Sequence, residues 1–302
     1  GGVLEGRSIG LMGVILGTRV RRGPADNPGM NPTSSLAAPS CGPLDRLDHL
    51  AILTGASRGL GLAMARRLLA GPGLLLVGIA RQPDAGLDTL ATAHGSQHLA
   101  WPLDLSDAPA VAARLSAWLA TQPPARWRRV TLINNAGVIP RIGPLGEDAP
   151  GALSAALRVG LEAPMLLTAA LLGATAGWAA RAGGEVRVLN ISSGLGRRAM
   201  AGSAAYCAAK AGMDHFSRAV ALEEAAGAHP ARIVSLAPGV IDTDMQVQLR
   251  GADPAGFPDH GRFVHLQSAG LLDSADAAAA KVLAWLERPD FGAQPVADVR
   301  EG

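Results

Sequence analysis

The sequence predicts an α/β fold, a single domain built on a doubly wound parallel sheet of about seven strands flanked by helices. Short apolar runs alternate with longer Ala- and Leu-rich segments from Leu50 to the end of the chain. Runs of this kind are typical of strands that are buried on both faces of a parallel sheet. Regular strand–helix alternation implies right-handed crossovers. No internal repeat interrupts the alternation, so one domain is expected.

The predicted elements follow one another in a regular order. The apolar runs predict strands at 50–53, 74–80, 98–103, 130–134, 186–191, 233–237 and 295–299. The segments between them predict helices at 60–70, 108–120, 152–180, 204–226 and 275–287. Ligands of such sheets bind beyond the carboxyl ends of the strands. The residues that follow each apolar run are therefore the candidates for a site.

Composition narrows the function classes. Hydrophobic residues make up 48% of the 302 residues, which allows a sizeable core and excludes global disorder. The net charge of +2 gives no reason to expect a nucleic-acid partner. Cys41 and Cys207 stand far apart without metal-ligand spacing, which predicts no metal site and a reducing, cytoplasmic setting. No continuous apolar run has the length of a membrane span, so no membrane is expected.

The first 47 residues differ from the rest of the chain. The sequence begins with Gly rather than Met, and residues 23–43 are rich in Pro, Ser, Asn, Gly and Ala. Such a composition is typical of disordered chain. We expect residues 1–47 to be a disordered extension, either a tag or sequence upstream of a start at Met30. Residues 48–302 are expected to form the folded domain.

A glycine-rich turn follows the first predicted strand and opens directly into a helix. Glycines there let the backbone turn tightly and approach a pyrophosphate, which then faces the free N–H groups of the helix N-terminus. Gly-rich turns also occur without a ligand, but this position, after the first strand, favours a dinucleotide site. The residues of the turn are Thr54, Gly55, Ser57, Arg58, Gly59, Leu60 and Gly61.

The second predicted strand ends in a basic residue. A site for NAD usually has Asp or Glu there to hold the ribose 2′-hydroxyl, whereas this chain has Arg81 with no acid beside it. Arg58 lies within the glycine turn, so two guanidinium groups are expected at the adenosine ribose. Guanidinium groups bind phosphate through paired hydrogen bonds. The two arginines therefore predict NADP(H) as the cofactor.

A tyrosine and a lysine four residues apart form the candidate catalytic pair. Positions i and i+4 share one face of a helix, so Tyr206 and Lys210 can contact the same ligand. A free phenol has a pKa of about 10, and a neighbouring ammonium group is expected to lower the pKa of Tyr206. Tyr206 would then donate a proton to a carbonyl oxygen, with Ser193 stabilising the developing negative charge.

The TGxxxGxG spacing of the glycine turn and the YxxxK spacing of Tyr206 and Lys210, preceded by a Ser-Ser pair, resemble the short-chain dehydrogenase/reductase family. The resemblance runs from about Leu50 to the end of the chain. It implies a Rossmann-type fold, a nicotinamide cofactor, and catalysis by Ser193, Tyr206 and Lys210. It also implies that the cofactor is bound by Tyr206 and Lys210 and by residues at later strand ends, namely Asp104, Leu105, Asn135, Ala136, Gly137, Pro238, Gly239, Val240 and Thr243.

One position departs from the family pattern. The family usually has Asn where this chain has Gly160, within the stretch 159–164. Gly160 lacks the amide that the resemblance places near the water beside the catalytic lysine. Another group or a further water then has to serve the proton relay, or turnover is reduced. Pro164 is expected to kink the same helix.

Three stretches, 134–145, 238–246 and 291–301, are similar to the sepiapterin reductase and benzil reductase branch of the family. The similarity implies NADPH-dependent reduction of a ketone or vicinal diketone, a small-molecule carbonyl substrate, to an alcohol. It leaves two readings of Asp298, a contact to a pterin-like substrate or a surface acid. The segment 246–272, punctuated by Gly and Pro, is expected to be a structureless lid with Arg250, His260, Arg262 and His265 as candidate substrate contacts.

Two other functions stay open on the sequence alone. Gly160 favours an NADP(H)-binding regulatory protein with weak or no catalysis. An NAD(P)-dependent alcohol dehydrogenase working oxidatively is the other, and Arg58 and Arg81 argue against its NAD-dependent form. The resemblance also implies a homodimer or homotetramer in which the Ala-rich helices 152–180 and 204–226 pair.

Overall fold

Seven parallel strands form one sheet in the computed structural model, which describes residues 47–178 and 184–301. The order across the sheet is β3-β2-β1-β4-β5-β6-β7, so the direction of strand succession reverses between β1 and β4. This is the doubly wound arrangement that the sequence predicts, and the reversal opens a crevice at the carboxyl ends of β1 and β4. The strands are β1 (His49–Thr54), β2 (Leu74–Ala80), β3 (Gln97–Pro102), β4 (Arg129–Asn134), β5 (Glu185–Ile191), β6 (Arg232–Ala237) and β7 (Val296–Asp298).

Nine α-helices lie among the described residues. They are α1 (Gly59–Leu69), α2 (Gly86–Ala93), α3 (Ala108–Ala120), α4 (Pro150–Leu157), α5 (Ala163–Thr175), α6 (Ala204–Ala225), α7 (Asp244–Arg250), α8 (His260–Ser268) and α9 (Ala275–Leu286). The predicted helices match α1, α3, α6 and α9 to within one residue, and helix 152–180 corresponds to α4 and α5. The sequence analysis does not predict α2, a short helix with only two buried residues.

The sheet has a separate hydrophobic cluster on each face. Successive side chains of a strand point to opposite faces, so Leu50 and Ile52 of β1 join one cluster while Ala51 and Leu53 join the other. The first cluster contains side chains of α3 and α5, and the second contains side chains of α1 and α9. Burial on both faces explains why the central strands are continuous apolar runs.

The first 47 residues lie outside the described part of the chain with one exception. Leu47 is 2% exposed and belongs to the core cluster that contains Leu50 and Ile52. The boundary predicted between extension and folded domain is therefore wrong at this residue, because an apolar side chain next to β1 extends the core. The predicted disorder of the preceding residues stays a prediction.

A π-helical turn, Arg158–Glu162, joins α4 to α5. Pro164 is near the N-terminus of α5, where a missing backbone N–H costs little stability. The wider π-helical turn directly before Pro164 accommodates the kink that the sequence analysis predicts. By length and composition the stretch Pro150–Thr175, with a mean hydropathy of 1.5, is apolar enough to cross a membrane. The buried core helix of a protein can have the same length and hydropathy. In this chain, Leu167 and Leu171 of α5 are fully buried in the hydrophobic cluster that contains α3, as in such a core helix.

The segment 246–272 is not a structureless lid, as the sequence analysis expects, but is largely helical. It contains most of α7 and all of α8. A third hydrophobic cluster holds this segment, with Phe257 fully buried and stacked on Phe263 at a centroid distance of 5.6 Å. The many glycines and prolines fall between and beside the two short helices. The prediction fails because these helices are stabilised by tertiary packing rather than by a periodic pattern of their own.

Candidate active site

The glycine turn after β1 has space for backbone only. Gly55 has a φ of +71°, and a Cβ atom on Gly61 would lie 2.0 Å from the carbonyl oxygen of Gly55. The first value lies in the left-handed region, which favours glycine, and the second distance excludes any side chain at position 61. The backbone at the start of α1 is thus exposed to an incoming ligand, as a pyrophosphate site requires.

Asn135 connects the ends of β1 and β4 across the crevice. Its side-chain Nδ2 donates to the carbonyl oxygen of Thr54 at 3.0 Å and to that of Gly55 at 3.3 Å. In return, the Thr54 hydroxyl accepts from the backbone N–H groups of Asn135 and Ala136 at 2.9 and 3.0 Å. These bonds fix the glycine turn against β4. Thr54 therefore acts behind the turn as a support.

A cavity of about 440 Å³ runs along the carboxyl ends of β1, β2 and β4. Its walls combine the glycine turn with the residues that follow the later strands. The predicted cofactor residues in its lining are Gly55, Ser57, Arg58, Gly59, Leu60, Gly61, Arg81, Asp104, Leu105, Asn135, Ala136, Gly137 and Thr243. We call this the cofactor cavity, because the glycine turn and most of the predicted cofactor residues line it.

The cofactor cavity is lined by basic and acidic side chains, namely Arg58, Arg81, Asp104, Asp242 and Asp244. Arg58 forms an ion pair with Asp244 of α7 at 2.6 Å, with both side chains more than two-thirds exposed. Arg81 stands at the end of β2. The pKa of Asp104 is lowered, chiefly because its carboxylate accepts a hydrogen bond from the backbone N–H of Ser106, with a smaller contribution from the charge of Arg81. Asp104 is thus a carboxylate that caps a turn at the predicted adenine end.

A second cavity, of about 280 Å³, adjoins the first. We call it the acceptor cavity. Ser193, Tyr206 and Lys210 line it together with the predicted loop residues Pro238, Gly239 and Val240, and Thr243 lines both cavities. Ser193 follows β5, whereas Tyr206 and Lys210 lie on α6. The structure thus brings the three predicted catalytic side chains together in the acceptor cavity, which borders the cofactor cavity at Asn135, Gly137 and Thr243.

Burial raises the pKa of Tyr206 to about 12, and its hydrogen bond to Ser193 acts in the opposite direction with a smaller effect. The expectation that the neighbouring lysine lowers this pKa is therefore wrong for the protein without ligands. The phenol is 7% exposed, and desolvation disfavours its charged form. At neutral pH Tyr206 is a neutral phenol, which is the form that donates a proton.

Lys210 is buried beneath the tyrosine ring. Its Nζ donates to the carbonyl oxygen of Ile191 at 2.7 Å and lies 5.7 Å from the centroid of the Tyr206 ring. Burial lowers the pKa of Lys210 to about 8, although the charge of Asp214 raises it. A lysine with such a pKa can exchange protons close to neutral pH.

Asp214 is a site residue that the sequence analysis missed. It lies one helical turn beyond Lys210 and is 1% exposed. Its Oδ1 accepts hydrogen bonds from Ser192 and Ser235, both at 2.6 Å, and its Oδ2 lies 3.3 Å from Nε of Arg197. Asp214 thereby ties α6 to the ends of β5 and β6. Ser192 faces this carboxylate, whereas Ser193 faces the tyrosine, which agrees with the choice of Ser193 from spacing.

Three further buried hydrogen bonds set the position of α6 relative to the sheet. The amide of Asn134 on β4 donates to Oδ1 of Asn190 on β5 at 2.9 Å. The amide of Asn190 donates to the hydroxyl of Ser217 at 2.9 Å, and that hydroxyl donates to the carbonyl oxygen of Met213 within α6. All three polar side chains are at most 1% exposed. These bonds join β4, β5 and α6 in the core, although Oδ1 of Asn134 is buried without a hydrogen-bond partner among the described residues.

Gly160 lies in the π-helical turn and faces α6. A Cβ atom on Gly160 would stand 3.2 Å from the Cβ of Ala209, the residue before Lys210. The absence of a side chain therefore lets the turn pack closely against the helix that carries the catalytic lysine. Close packing is thus a structural reason for glycine at this position, and the effect of the missing Asn on activity stays a prediction.

Asp298 at the end of β7 is bound by arginines. Its two carboxylate oxygens accept from Nε and Nη2 of Arg300, and Nη1 of Arg197 lies 3.9 Å away. The pKa of Asp298 is lowered, above all by the hydrogen bond from Arg300. The acceptor cavity is lined by Arg300 and not by Asp298. The structure thus places the guanidinium group of Arg300, and not the carboxylate of Asp298, at the acceptor cavity.

Of the other candidate substrate contacts on the lid segment, only Arg262 lines the acceptor cavity. Nε2 of His260 donates a hydrogen bond to the carbonyl oxygen of Arg250 at 2.9 Å. Within residues 47–178 and 184–301, no group of three or more His, Cys, Asp or Glu side chains is arranged to hold a metal ion.

Comparisons with known proteins agree with this site. The family model for short chain dehydrogenases matches residues 49–253. The benzil reductase ((S)-benzoin forming) of Bacillus cereus is 33% identical over 240 residues, which cover 80% of this chain and 94% of that protein. The sepiapterin reductase of Rattus norvegicus is 33% identical over 250 residues, covering 80% and 92%. A metagenomic short-chain oxidoreductase solved in complex with NADP is 28% identical, with a TM-score of 0.60 over 84% of this chain and 96% of that one.

Proposed function

The chain belongs to the short-chain dehydrogenase family, and from that premise we propose that it is an NADPH-dependent carbonyl reductase that converts a ketone or vicinal diketone to an alcohol. The observation that carries the proposal is that Ser193, Tyr206 and Lys210 together line the acceptor cavity, which shares Gly137 and Thr243 with the cofactor cavity. A dinucleotide in the cofactor cavity would reach this shared boundary with one end. A ketone in the acceptor cavity would reach it from the other side.

Tyr206 is the proton donor in this proposal. Its hydroxyl is protonated at neutral pH, because its pKa is raised to about 12. The bound cofactor supplies a hydride to the carbonyl carbon. As charge develops on the carbonyl oxygen, the Tyr206 proton passes to it, and the Ser193 hydroxyl donates a hydrogen bond to the same oxygen. The reaction breaks the π bond of the carbonyl group and leaves an alcohol.

Lys210 restores the proton. Its ammonium group stabilises the phenolate that forms when Tyr206 gives up its proton. Because the pKa of Lys210 is about 8, it can then pass a proton toward Tyr206 near neutral pH. The hydrogen bond from Nζ to the carbonyl oxygen of Ile191 holds the ammonium group beneath the ring. Because the ammonium group of Lys210 is already held in place, no conformational entropy is lost in ordering it during the reaction.

The residues of the cofactor cavity fit NADP(H). The glycine turn has no side chain where a pyrophosphate would lie, and two arginines face the region of the adenosine ribose. Arg58 is held by Asp244 only through an exposed ion pair. Such pairs stabilise a protein by at most about 1 kcal/mol, so a 2′-phosphate can compete for the guanidinium group.

The preference for NADPH is tested with two opposite substitutions. Arg81→Asp is expected to weaken NADPH binding by about tenfold or more and NADH binding much less, since it replaces a phosphate donor by a like charge. Asp244→Asn frees Arg58 and is expected to tighten NADPH binding while leaving NADH binding unchanged. Dissociation constants for both dinucleotides measure the two effects. Equal losses for NADPH and NADH in Arg81→Asp contradict the assignment.

Carbonyl reduction is tested by following NADPH oxidation with benzil, phenylpropanedione and sepiapterin. Activity in the parent that falls by about a hundredfold or more in Tyr206→Phe supports the proposal, since general acid catalysis contributes factors of this size. The similarity to benzil reductase and sepiapterin reductase guides the choice of these acceptors. NADPH binding without turnover of any carbonyl compound would support the regulatory alternative instead.

We also propose that the protein is a homo-oligomer paired through α4, α5 and α6. These helices expose large apolar side chains, Leu157, Met165 and Leu222, of which Leu222 is 77% exposed. Apolar patches on helices of this size favour association. Light scattering coupled to size exclusion gives the mass in solution. Leu222→Glu is expected to lower the mass, and a monomeric parent would contradict the proposal.

A further inference from the structure

The acceptor cavity contains positive charge that the proposed proton transfer does not use. Arg198, Arg262 and Arg300 line it, in addition to Lys210. In the described part of the chain, no Asp or Glu belongs to this lining. A cavity with three guanidinium groups and no carboxylate attracts anions.

These arginines are distinct from those of the cofactor cavity. Arg58 and Arg81 line the cofactor cavity, and neither lines the acceptor cavity. Conversely, Arg198, Arg262 and Arg300 are absent from the lining of the cofactor cavity. The phosphates of a dinucleotide therefore do not account for the second group. The anion that it suits comes with the substrate.

The three guanidinium groups retain free donors. Arg262 is an exposed residue of α8 whose side chain has no hydrogen bond or ion pair to any residue that the structure describes. Arg198 has one acid nearby, Asp259, at 4.0 Å, and is half exposed. Arg300 uses Nε and Nη2 on Asp298, which leaves its Nη1 for a ligand. A guanidinium group can bind a carboxylate through such free N–H groups.

The acceptor cavity combines exposed arginines, a buried tyrosine and an apolar lining. The arginines are exposed, whereas Tyr206 is 7% exposed. The apolar side chains in the lining include Ile139, Leu195, Leu249 and Phe263. A ligand that fills this space has its carbonyl group at the buried end, an apolar body, and an anionic group near the exposed end.

We propose that the acceptor is a keto acid, a ketone whose apolar body carries a carboxylate that Arg198, Arg262 and Arg300 bind. This inference rests on the proposed carbonyl reductase function. The reaction is unchanged by it, since the cofactor is oxidised, the carbonyl carbon gains the hydride and its oxygen gains the Tyr206 proton. The carboxylate takes no part in the bond changes. The carboxylate determines which ketone is bound and in which orientation it lies in the cavity.

A matched pair of substrates tests the inference. We compare kcat/KM of the parent for 4-oxo-4-phenylbutanoate and for its methyl ester, with NADPH at low ionic strength. The acid is expected to be preferred by about tenfold or more, which is the size of effect that hydrogen bonds to a charged group produce. The preference should decrease as salt is added, because the arginines are exposed. Equal values, or a preference for the ester, would overturn the inference.

Single substitutions locate the effect. Arg262→Met and Arg198→Met are each expected to lower the acid-to-ester ratio of kcat/KM severalfold, and neither removes a partner of a buried acid. Arg66→Met is the matched control, since Arg66 is exposed on α1 and has only a 3.9 Å contact to Asp84. The control should keep the ratio of the parent. Ratios that stay at the parent's value in both cavity variants would also overturn the inference.

Binding separates this inference from the proposed function. Calorimetry with the NADPH-loaded Tyr206→Phe variant gives dissociation constants for the acid and the ester without turnover. Tighter binding of the acid supports the inference even if the parent reduces neither compound, in which case the reductase proposal fails alone. Reduction of both compounds without any preference for the acid in rate or binding overturns the inference and leaves the reductase proposal intact.

Discussion

Replacing Asp214 by Asn is expected to move the alkaline decline of the reductase activity to lower pH. Burial lowers the pKa of Lys210 to about 8, and the negative charge of Asp214 limits that decrease. Asn has the shape of Asp and can still accept hydrogen bonds from Ser192 and Ser235. The substitution therefore removes the charge and keeps the two serine contacts, whereas the ion pair with Arg197 is lost. Lys210 then loses its proton at a lower pH.

The size of the effect follows from the protonated fraction of Lys210. With a pKa of about 8 the side chain is about 90% protonated at pH 7 and half protonated at pH 8. A decrease of that pKa to about 7 corresponds to about 1.4 kcal/mol and leaves about half of Lys210 protonated at pH 7 and about a tenth at pH 8. The expected loss of rate is then about twofold at pH 7 and about fivefold at pH 8. The pKa of Tyr206, at about 12, adds nothing to this decline.

The assay is kcat for ketone reduction at saturating NADPH, measured between about pH 6 and pH 10. Asp276→Asn serves as the control, because it removes a carboxylate from an exposed ion pair with Arg67, away from both cavities. It should leave the profile of the parent unchanged. An alkaline decline at the same pH in Asp214→Asn and the parent would refute the idea that Asp214 sets the protonation of Lys210.

Two further substitutions test the close contacts of the site. Gly61→Ala places a Cβ atom 2.0 Å from the carbonyl oxygen of Gly55, so we expect a loss of about 1–3 kcal/mol in the free energy of unfolding and weaker NADPH binding. Gly71→Ala is the control, because there is open space around Gly71. Equal urea denaturation curves for the two variants would contradict the expectation. Gly160→Asn brings a Cβ atom within 3.2 Å of Ala209 and should lower kcat by displacing α6. Adding Ala209→Gly should restore part of the rate, and a single variant as active as the parent would show that this packing does not matter.

The central strands of the sheet could be predicted from the sequence because they are buried on both faces. In β1, for example, Ile52 lies between Ala51 and Leu53 within one apolar run. Strand β3 is mostly exposed or half-buried, and it was also found to within one residue. The helices α7 and α8 could not be predicted in the same way. Each is short, and Gly251 and Gly256 between them suggest a loop. Their stability comes from contacts such as that of Phe257 with Phe263, which join residues through the fold.

The candidate site was predicted in part. Spacing identified Ser193, Tyr206 and Lys210, and the structure brings these three together, with their roles still predictions. Spacing did not identify Asp214, since an acid on a helix usually faces solvent. Its burial depends on Ser192 and Ser235, which arrive from two different strands. The pKa of Tyr206 was expected to move in the wrong direction because the sequence shows a neighbouring charge but not the extent of burial.

Two arginines of the acceptor cavity come from parts of the chain that are distant from the proposed reacting groups. Tyr206 is fixed by α6 and the sheet, whereas Arg262 belongs to α8 and Arg300 follows the last strand. Neither arginine contributes a hydrogen bond to the tyrosine or to the buried network behind it. Under the role proposed for these arginines, evolution or an engineer can change the substrate preference at the periphery while the proposed reacting groups stay in place.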